Sequence, residues 1–303
     1  MNTKQLGGLL NVAVLSGALF CAAFAGSTAR SAVFSDQAAL DQSAIFAQDQ
    51  MFAGVGTVGI YDQGSWWAGG TGVIIGDGSW VLCAGHELTF RSFSDVRFAL
   101  RDSQGQITTD VVGGSWYVYP GYTGGTGMGV DLALIHLSAA ITSVTPAELY
   151  SGSQSSLIGV TACMAGFGQP GTAGNGIGAY DRIMRAGQNI IGDVSYPSVE
   201  PQYLVTRFDA PNSGLAAALE WQGSPGDSGG PWMVQDGGIW KVAAISAGGN
   251  HDPSFSFGDV TFANNVSDYL GWIQSYAAVP EPTTGALLGL GLACLVRGKR
   301  HTA

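Results

Sequence analysis

SPGDSGGPW, residues 224–232, is the stretch on which the reading of this chain turns. Glycine and serine are ordinary turn residues, and the chain holds 47 glycines, so a tight turn would use the same letters. A serine nucleophile makes further demands. Its hydroxyl is a weak attacker at neutral pH and needs a base within hydrogen-bond reach, itself oriented by a carboxylate. The developing oxyanion needs preorganised donors, which the N–H groups of a glycine-rich turn supply. Ser228 offers the hydroxyl, and Gly226 and Ser228 offer the N–H pair.

Partners for Ser228 are few, because the chain has four histidines: His86, His136, His251 and His301. His86 closes the apolar run WVLCAGH, so it stands rigidly at the end of a strand beside a glycine. Asp131 heads DLALIHL, and a carboxylate that opens an apolar strand is partly buried and requires a partner. Taken singly, each has a plain structural reading, as a satisfied histidine and as a strand-start turn residue. His136 alternates within its strand and reads as structural, and His301 lies in the terminal segment.

Around these residues the chain reads as β-structure. VGTVGIYD, GTGVIIGD, SWVLCAGH, VRFALRD, SWYVYPG and DLALIHL are short apolar or alternating runs divided by Gly, Asp and Ser. AITSVTPAELYSGSQ (140–154) reads as a connection. A second series follows, from SLIGVTACMAGFG to FGDVTFANNV, and the D-G-G of MVQDGGIWKV signals a hairpin. In NNVSDYLGWIQSYA (264–277), Val266, Tyr269, Leu270 and Ile273 recur at helical spacing. Two β-units therefore precede a terminal helix. Residues 26–51 read as a leader or short pro-segment, with room for a short helix.

GDSGGP, WVLCAGH and DLAL together resemble the trypsin/chymotrypsin-like serine proteases, in the chain order His, Asp, Ser and at separations of 45 and 97 residues. AGFGQ (165–169) resembles the segment opening that family's second barrel. ISAGG (245–249) resembles its cleft-lining strand, and VSDYLGWI (266–273) its terminal helix. The resemblance spans about 52–277 and implies an all-β fold of two six-stranded antiparallel barrels, about 52–148 and 155–265, with a C-terminal helix over 265–277. It implies His86 as general base, Asp131 as its orienter, Ser228 as nucleophile, and the Gly226 and Ser228 N–H groups as oxyanion hole. Gln222, Ser246, Ala247 and Gly248 would line the substrate site. Asp227 would hold the turn through a buried ion pair, either to a new terminal amine or to Arg182, Arg185 or Arg207. The chain also departs from the family: Glu87 stands where many relatives carry a disulfide cysteine, and Ala247 where a tryptophan is usual. The implied function is a serine endopeptidase acting on proteins or peptides. The alternative is a catalytically silent surface or matrix-binding protein of the same fold, which the intact triad opposes.

Composition and ends fix the setting. Charged residues are only 11% of the chain and hydrophobic ones 46%, which excludes a wholly disordered protein. Lys4, Arg297, Lys299 and Arg300 lie in the terminal segments; eight of the twelve basic residues remain between 26 and 282, against 22 acidic ones, a net −14. Phosphate backbones repel such a surface, so nucleic acid is not an expected partner. Residues 1–25 read as a signal peptide: Lys4, an apolar run from Leu6 to Phe24, and Ala23-Phe24-Ala25 as cleavage site. At the other end, VPEP (279–282), fourteen mostly apolar residues (283–296) and RGKRH resemble a PEP-CTERM sorting tail, spanning 279–303. Such a helix rises about 21 Å, short of a hydrocarbon core of about 30 Å. The tail implies a processing enzyme in the membrane as a partner, transient anchoring, and a secreted or cell-surface destination. Cys83 and Cys163 either pair or stand as separate buried thiols. No metal-ligand spacing occurs, and no cofactor or metal is expected.

Overall fold

The computed structural model describes residues 32–62, 65–89, 96–124, 129–192 and 203–277. The chain enters through β1 (Ala32–Phe34), buried along its length, and α1 (Gln37–Phe46). Asp36 caps α1, its carboxylate accepting from Ala39 N at 2.9 Å and satisfying one of the helix's free N–H groups. Ala32, Phe34 and Leu40 pack against Trp221 and Trp232. From Ala32 onward the expected leader is thus a strand and a helix seated on the second barrel.

The first barrel comprises β2 (Val55–Asp62), β3 (Ser65–Ile75), β4 (Trp80–Cys83), β5 (Val96–Arg101), β6 (Ile107–Val118) and β7 (Ala133–Leu137). These strands close antiparallel in the order β2-β3-β4-β7-β6-β5, and closure leaves no open edge. Val58, Ile74, Val81, Phe98 and Ile135 fill it. One turn of helix, α2 (His86–Thr89), follows β4.

The second unit holds β8 (Glu148–Leu149), β9 (Thr161–Gly166), β10 (Pro170–Thr172), β11 (Gly176–Ile177), β12 (Arg185–Gly192), β13 (Tyr203–Arg207), β14 (Pro231–Asp236), β15 (Ile239–Asn250) and β16 (Val260–Asn265). Six of them run β14-β9-β12-β13-β16-β15, and the β14–β15 hairpin closes the ring; β8 adds parallel to β15. Gly237 and Gly238 make the hairpin turn at φ +59° and +84°, the left-handed pair that a two-residue primed turn requires. β1, β10 and β11 form a separate small sheet. The fold is therefore the two-barrel, trypsin-like one that the sequence implied.

The terminal helix starts later than its periodicity suggested. Asn264 and Asn265 remain in β16, Val266–Tyr269 form a 3-10 turn, and α3 spans Leu270–Tyr276. Asn264 is held in the strand by its bonds to Asp131, described below. Val266, Tyr269 and Ile273 are buried in a core drawn from both barrels, with Leu270 packed at its edge. Of the alternatives for the cysteines, the structure has separate thiols: Cys83 lies in the first barrel's core, Cys163 in the shared one, and both are unpaired.

Candidate active site

Strand pairing brings His86 and Asp131 together. β4 and β7 are antiparallel neighbours with Cys83 opposite Ala133. His86 lies three residues beyond Cys83 and Asp131 two residues before Ala133, so both leave the barrel at the same end. His86 Nδ1 lies 2.6 Å from Asp131 Oδ2, and the His86 backbone N–H donates to Oδ1 at 2.8 Å. Asp131 is fully buried. Asn264 clamps its backbone from the second barrel, donating to Asp131 O at 2.9 Å and accepting from Asp131 N at 3.2 Å.

Ser228 lies in the loop between Trp221 and β14, and long-range backbone bonds hold it. Thr71 N, on β3, donates to Ser228 O at 2.8 Å, and Gly229 N donates to Ser246 O at 2.8 Å. Thr71 Oγ1 donates to Gly226 O at 2.8 Å and accepts from Phe167 N at 3.0 Å. Gly226 and Gly229 have φ +100° and +78°. A Cβ at Gly229 would overlap Thr71 O and stand 3.0 Å from Ala84 N, so only glycine lets the loop approach β3 this closely. Among the described residues, neither the Gly226 nor the Ser228 N–H has an acceptor.

Among the described residues, Asp227 makes none of the ion pairs expected of it. Arg185 is bound to Asp181 at 2.9 Å and Arg207 to Asp209 at 2.8 Å, and Arg182 makes no ion pair with Asp227. Instead the Asp227 carboxylate accepts from Gly168 N (2.8 Å), Ser224 N (2.9 Å) and Ser224 Oγ (3.1 Å). Fixed dipoles take the place of a contacting cation, and the charge of Arg185 acts from farther off. Burial nevertheless prevails over these bonds and pushes the pKa up to about 6.

A cleft of about 440 Å³ lies between the barrels, lined by His86, Ser228, Ser246, Gly248, Tyr180 and His251 among others. Ala247 does not line it; that side chain is fully buried with Tyr203, Val205, Val260 and Phe262. Gln222 is fully buried behind the cleft wall, donating from Nε2 to Val260 O at 3.2 Å, and its Oε1 has no partner. Sequence reasoning misses Thr71, Asn264 and Tyr180. None carries a motif, and each matters through a contact 46 or more positions distant along the chain.

On the cleft side of His86, Nε2 lies 3.2 Å from Glu87 Oε1. Burial opposes a charged ring, but the hydrogen bonds and charges of Asp131 and Glu87 outweigh it and push the His86 pKa up to about 10. This arrangement favours the protonated ring, and it turns Nε2 towards Glu87.

Comparison with known proteins adds the family. No curated protein matches the chain. Among solved structures, the fold is similar to neuropsin, a serine protease expressed in the limbic system of mouse brain, with a TM-score of 0.55 and 17% identity over 74% of this chain and 93% of that one. The tail matches the PEP-CTERM protein-sorting motif over residues 278–300, outside the described residues; no helix among the described ones is long and apolar enough to cross a membrane. The trypsin family model matches residues 55–273, most of the chain, and with the two barrels and the inter-barrel cleft already described, the chain belongs to the trypsin family.

Proposed function

We propose that this is an exported serine endopeptidase with His86, Asp131 and Ser228 as its catalytic triad. The observation that carries the reading is the 2.6 Å contact between His86 Nδ1 and a fully buried carboxylate, in the cleft that also holds Ser228. With Asp131 accepting at Nδ1, a neutral ring keeps its lone pair at Nε2. Ser228 Oγ attacks the scissile carbonyl carbon as its proton passes to Nε2, and the carbonyl π pair moves onto oxygen. The unoccupied N–H groups of Gly226 and Ser228 receive that oxyanion. Collapse breaks the C–N bond, the amine takes the proton from Nε2, and water repeats the sequence on the acyl-enzyme. The substrate is a protein or peptide chain, with Gly248, Ser246 and the wall before Gln222 taking the residue ahead of the bond.

The PEP-CTERM match supports export, with residues 1–25 as signal peptide and the tail as a segment read and processed in the membrane. Intact-mass measurement on the exported protein should find a species ending near residue 282; retention of Ala303 would refute the processing. For catalysis the test is labelling with a fluorophosphonate and mapping of the adduct. Modification of Ser228 is expected. The competing reading, a silent protease-fold binding protein, draws on Glu87 at Nε2. A folded protein that stays unlabelled between pH 6 and 10 would favour it.

A further inference from the structure

Glu87 is a carboxylate in an unusual place. Its side chain is only 7% exposed, it follows the proposed base directly, and it lies on Gly69 and Gly70 of β3. A Cβ at Gly69 would stand 2.8 Å from Oε2, and one at Gly70 would stand 2.5 and 2.7 Å from the two oxygens. These glycines make room for the carboxylate and supply it no charge. A carboxylate this buried needs a cation or several donors. Among the described residues its one cationic partner is His86.

Its position in the cleft defines what else would reach it. Gly223, Gly249 and Thr261 of the second barrel and Val58, Gly59 and Gly69 of the first line the cleft, together with Ser228 and His86. On the endopeptidase reading the second-barrel wall, with Gln222 buried behind it, takes the residue before the scissile bond. Nε2 hands its proton to the departing amine, so a group on the far side of Nε2 faces the residue after the bond. Glu87 is that group. We propose that Glu87 is a specificity-determining residue: it receives the Lys or Arg side chain of the residue that follows the scissile bond, and rests on His86 when no such cation is bound.

The proposal builds on the serine endopeptidase reading. When a substrate guanidinium or ammonium takes the Glu87 carboxylate, bidentately in the case of Arg, Nε2 is released to Ser228. The acidic body, −14 between residues 26 and 282, draws basic peptides towards the cleft. Other titratable groups near the pair do not replace the cation. Asp131 already holds Nδ1, and Asp227 is an acid. Burial raises both the Cys83 thiol and the Tyr180 phenol, the latter to about 12, so neither is charged at neutral pH.

The test uses the mature protein and peptides differing only in the residue after the cleaved bond: Arg, Lys, norleucine or Glu. Norleucine keeps the lysine stem and removes the charge. The parent should cleave the Arg and Lys peptides with kcat/KM at least tenfold above norleucine. Glu87→Gln should bring that ratio near one, cleave the norleucine peptide faster than the parent at pH 7, and shift the acid limb of its kcat/KM profile to lower pH. Glu87→Asp, shorter by one methylene, should keep the preference and also lower the limb; it serves if Glu87→Gln melts early. His86 titration followed by NMR in Ser228→Ala needs no turnover, and its midpoint should fall on adding Glu87→Gln. A parent without charge preference, or a preference that survives Glu87→Gln, overturns the proposal. Fluorophosphonate labelling of Ser228 in that same parent would leave the endopeptidase reading standing; absence of both labelling and cleavage would remove the two together.

Discussion

The two barrels hold their halves of the site by different means. The first positions His86 and Asp131 through regular strand pairing, β4 against β7, so the pair follows from the register of two short strands. The second positions Ser228 on a loop with no regular structure of its own, held to β3 by Thr71 and to β15 through Ser246. The two buried aspartates differ in parallel. Asp131 has the His86 ring on one oxygen and a backbone N–H on the other; Asp227 is bonded by N–H groups and a hydroxyl, with the charge of Arg185 acting on it from beyond contact. On the proposed reading one carboxylate serves chemistry and the other serves loop geometry. Substitutions should therefore separate them: damage to the first half costs turnover with the fold intact, whereas damage to the second costs both.

The largest effect should come from the first half. Asp131→Asn preserves shape but leaves the ring in the wrong tautomer and its imidazolium unsupported. A loss of about 10⁴ in kcat is expected, in a protein that still folds. Combined with Ser228→Ala the losses should not add, because the groups act as one unit. An Asp131→Asn protein that retains parental kcat would break the division.

In the second half, Gly229→Ala should damage stability and activity together. The left-handed backbone alone costs roughly 1–2 kcal/mol for a residue with Cβ, and overlap with Thr71 O forces the nucleophile loop from β3. Urea unfolding and the fluorophosphonate labelling rate check this. Unchanged stability with slowed labelling would show that the loop tolerates displacement, contrary to its tight fixation.

The proposed site residues were legible because tight turns and strand ends leave local signatures. GDSGGP needs glycine at two positive-φ positions, and His86 and Asp131 mark strand ends. The barrel strands were legible for the same reason, being alternating runs with clear punctuation. β1, β10 and β11 were not, since two or three residues carry no periodicity. The Asp227 ion pair was expected from the family resemblance; which backbone N–H groups converge on the carboxylate instead depends on residues 59 positions apart. Glu87 was visible only as a missing cysteine. Its contact with Nε2 depends on Gly69 and Gly70, which sit on another strand.

The contrast between the aspartates also predicts an unusual stability profile. Asp227 titrates near 6 when folded, raised chiefly by burial from an ordinary value near 3.8. The folded state thus binds more protons than the unfolded one between about pH 4 and 6, and stability falls as pH rises through that window. A tenfold change in proton affinity corresponds to about 1.4 kcal/mol, so Asp227 contributes on the order of 3 kcal/mol across the window. Glu220, pushed up to about 7 chiefly by burial, extends the decline. His86, raised to about 10, adds stability that is complete below 6.5 and lost as pH rises through 10. Urea midpoints should decrease from pH 4.5 to 7 and again towards 10. Asp227→Asn should flatten the first part, and a rise from pH 4.5 to 7 in the parent would contradict it.

The smallest effect concerns the residue before the scissile bond. Gln222 is buried behind the cleft wall, and its amide would offer no charge to a substrate cation. Its Nε2 is committed to Val260 O, while Oε1 is buried without a partner. A lone amide oxygen can accept one hydrogen bond but cannot compensate the desolvation of an ammonium or guanidinium group. Arg and Lys ahead of the bond should therefore gain less than about tenfold over neutral polar residues, a difference under about 1.4 kcal/mol. Gln222→Asp should raise that ratio, because it places a negative charge behind the same wall. A peptide-library profile of the parent dominated by Arg or Lys at this position would show that a charge other than Gln222 governs the pocket. The two sides of the scissile bond would then no longer differ as Gln222 and Glu87 require, with the charge on the leaving-group side alone.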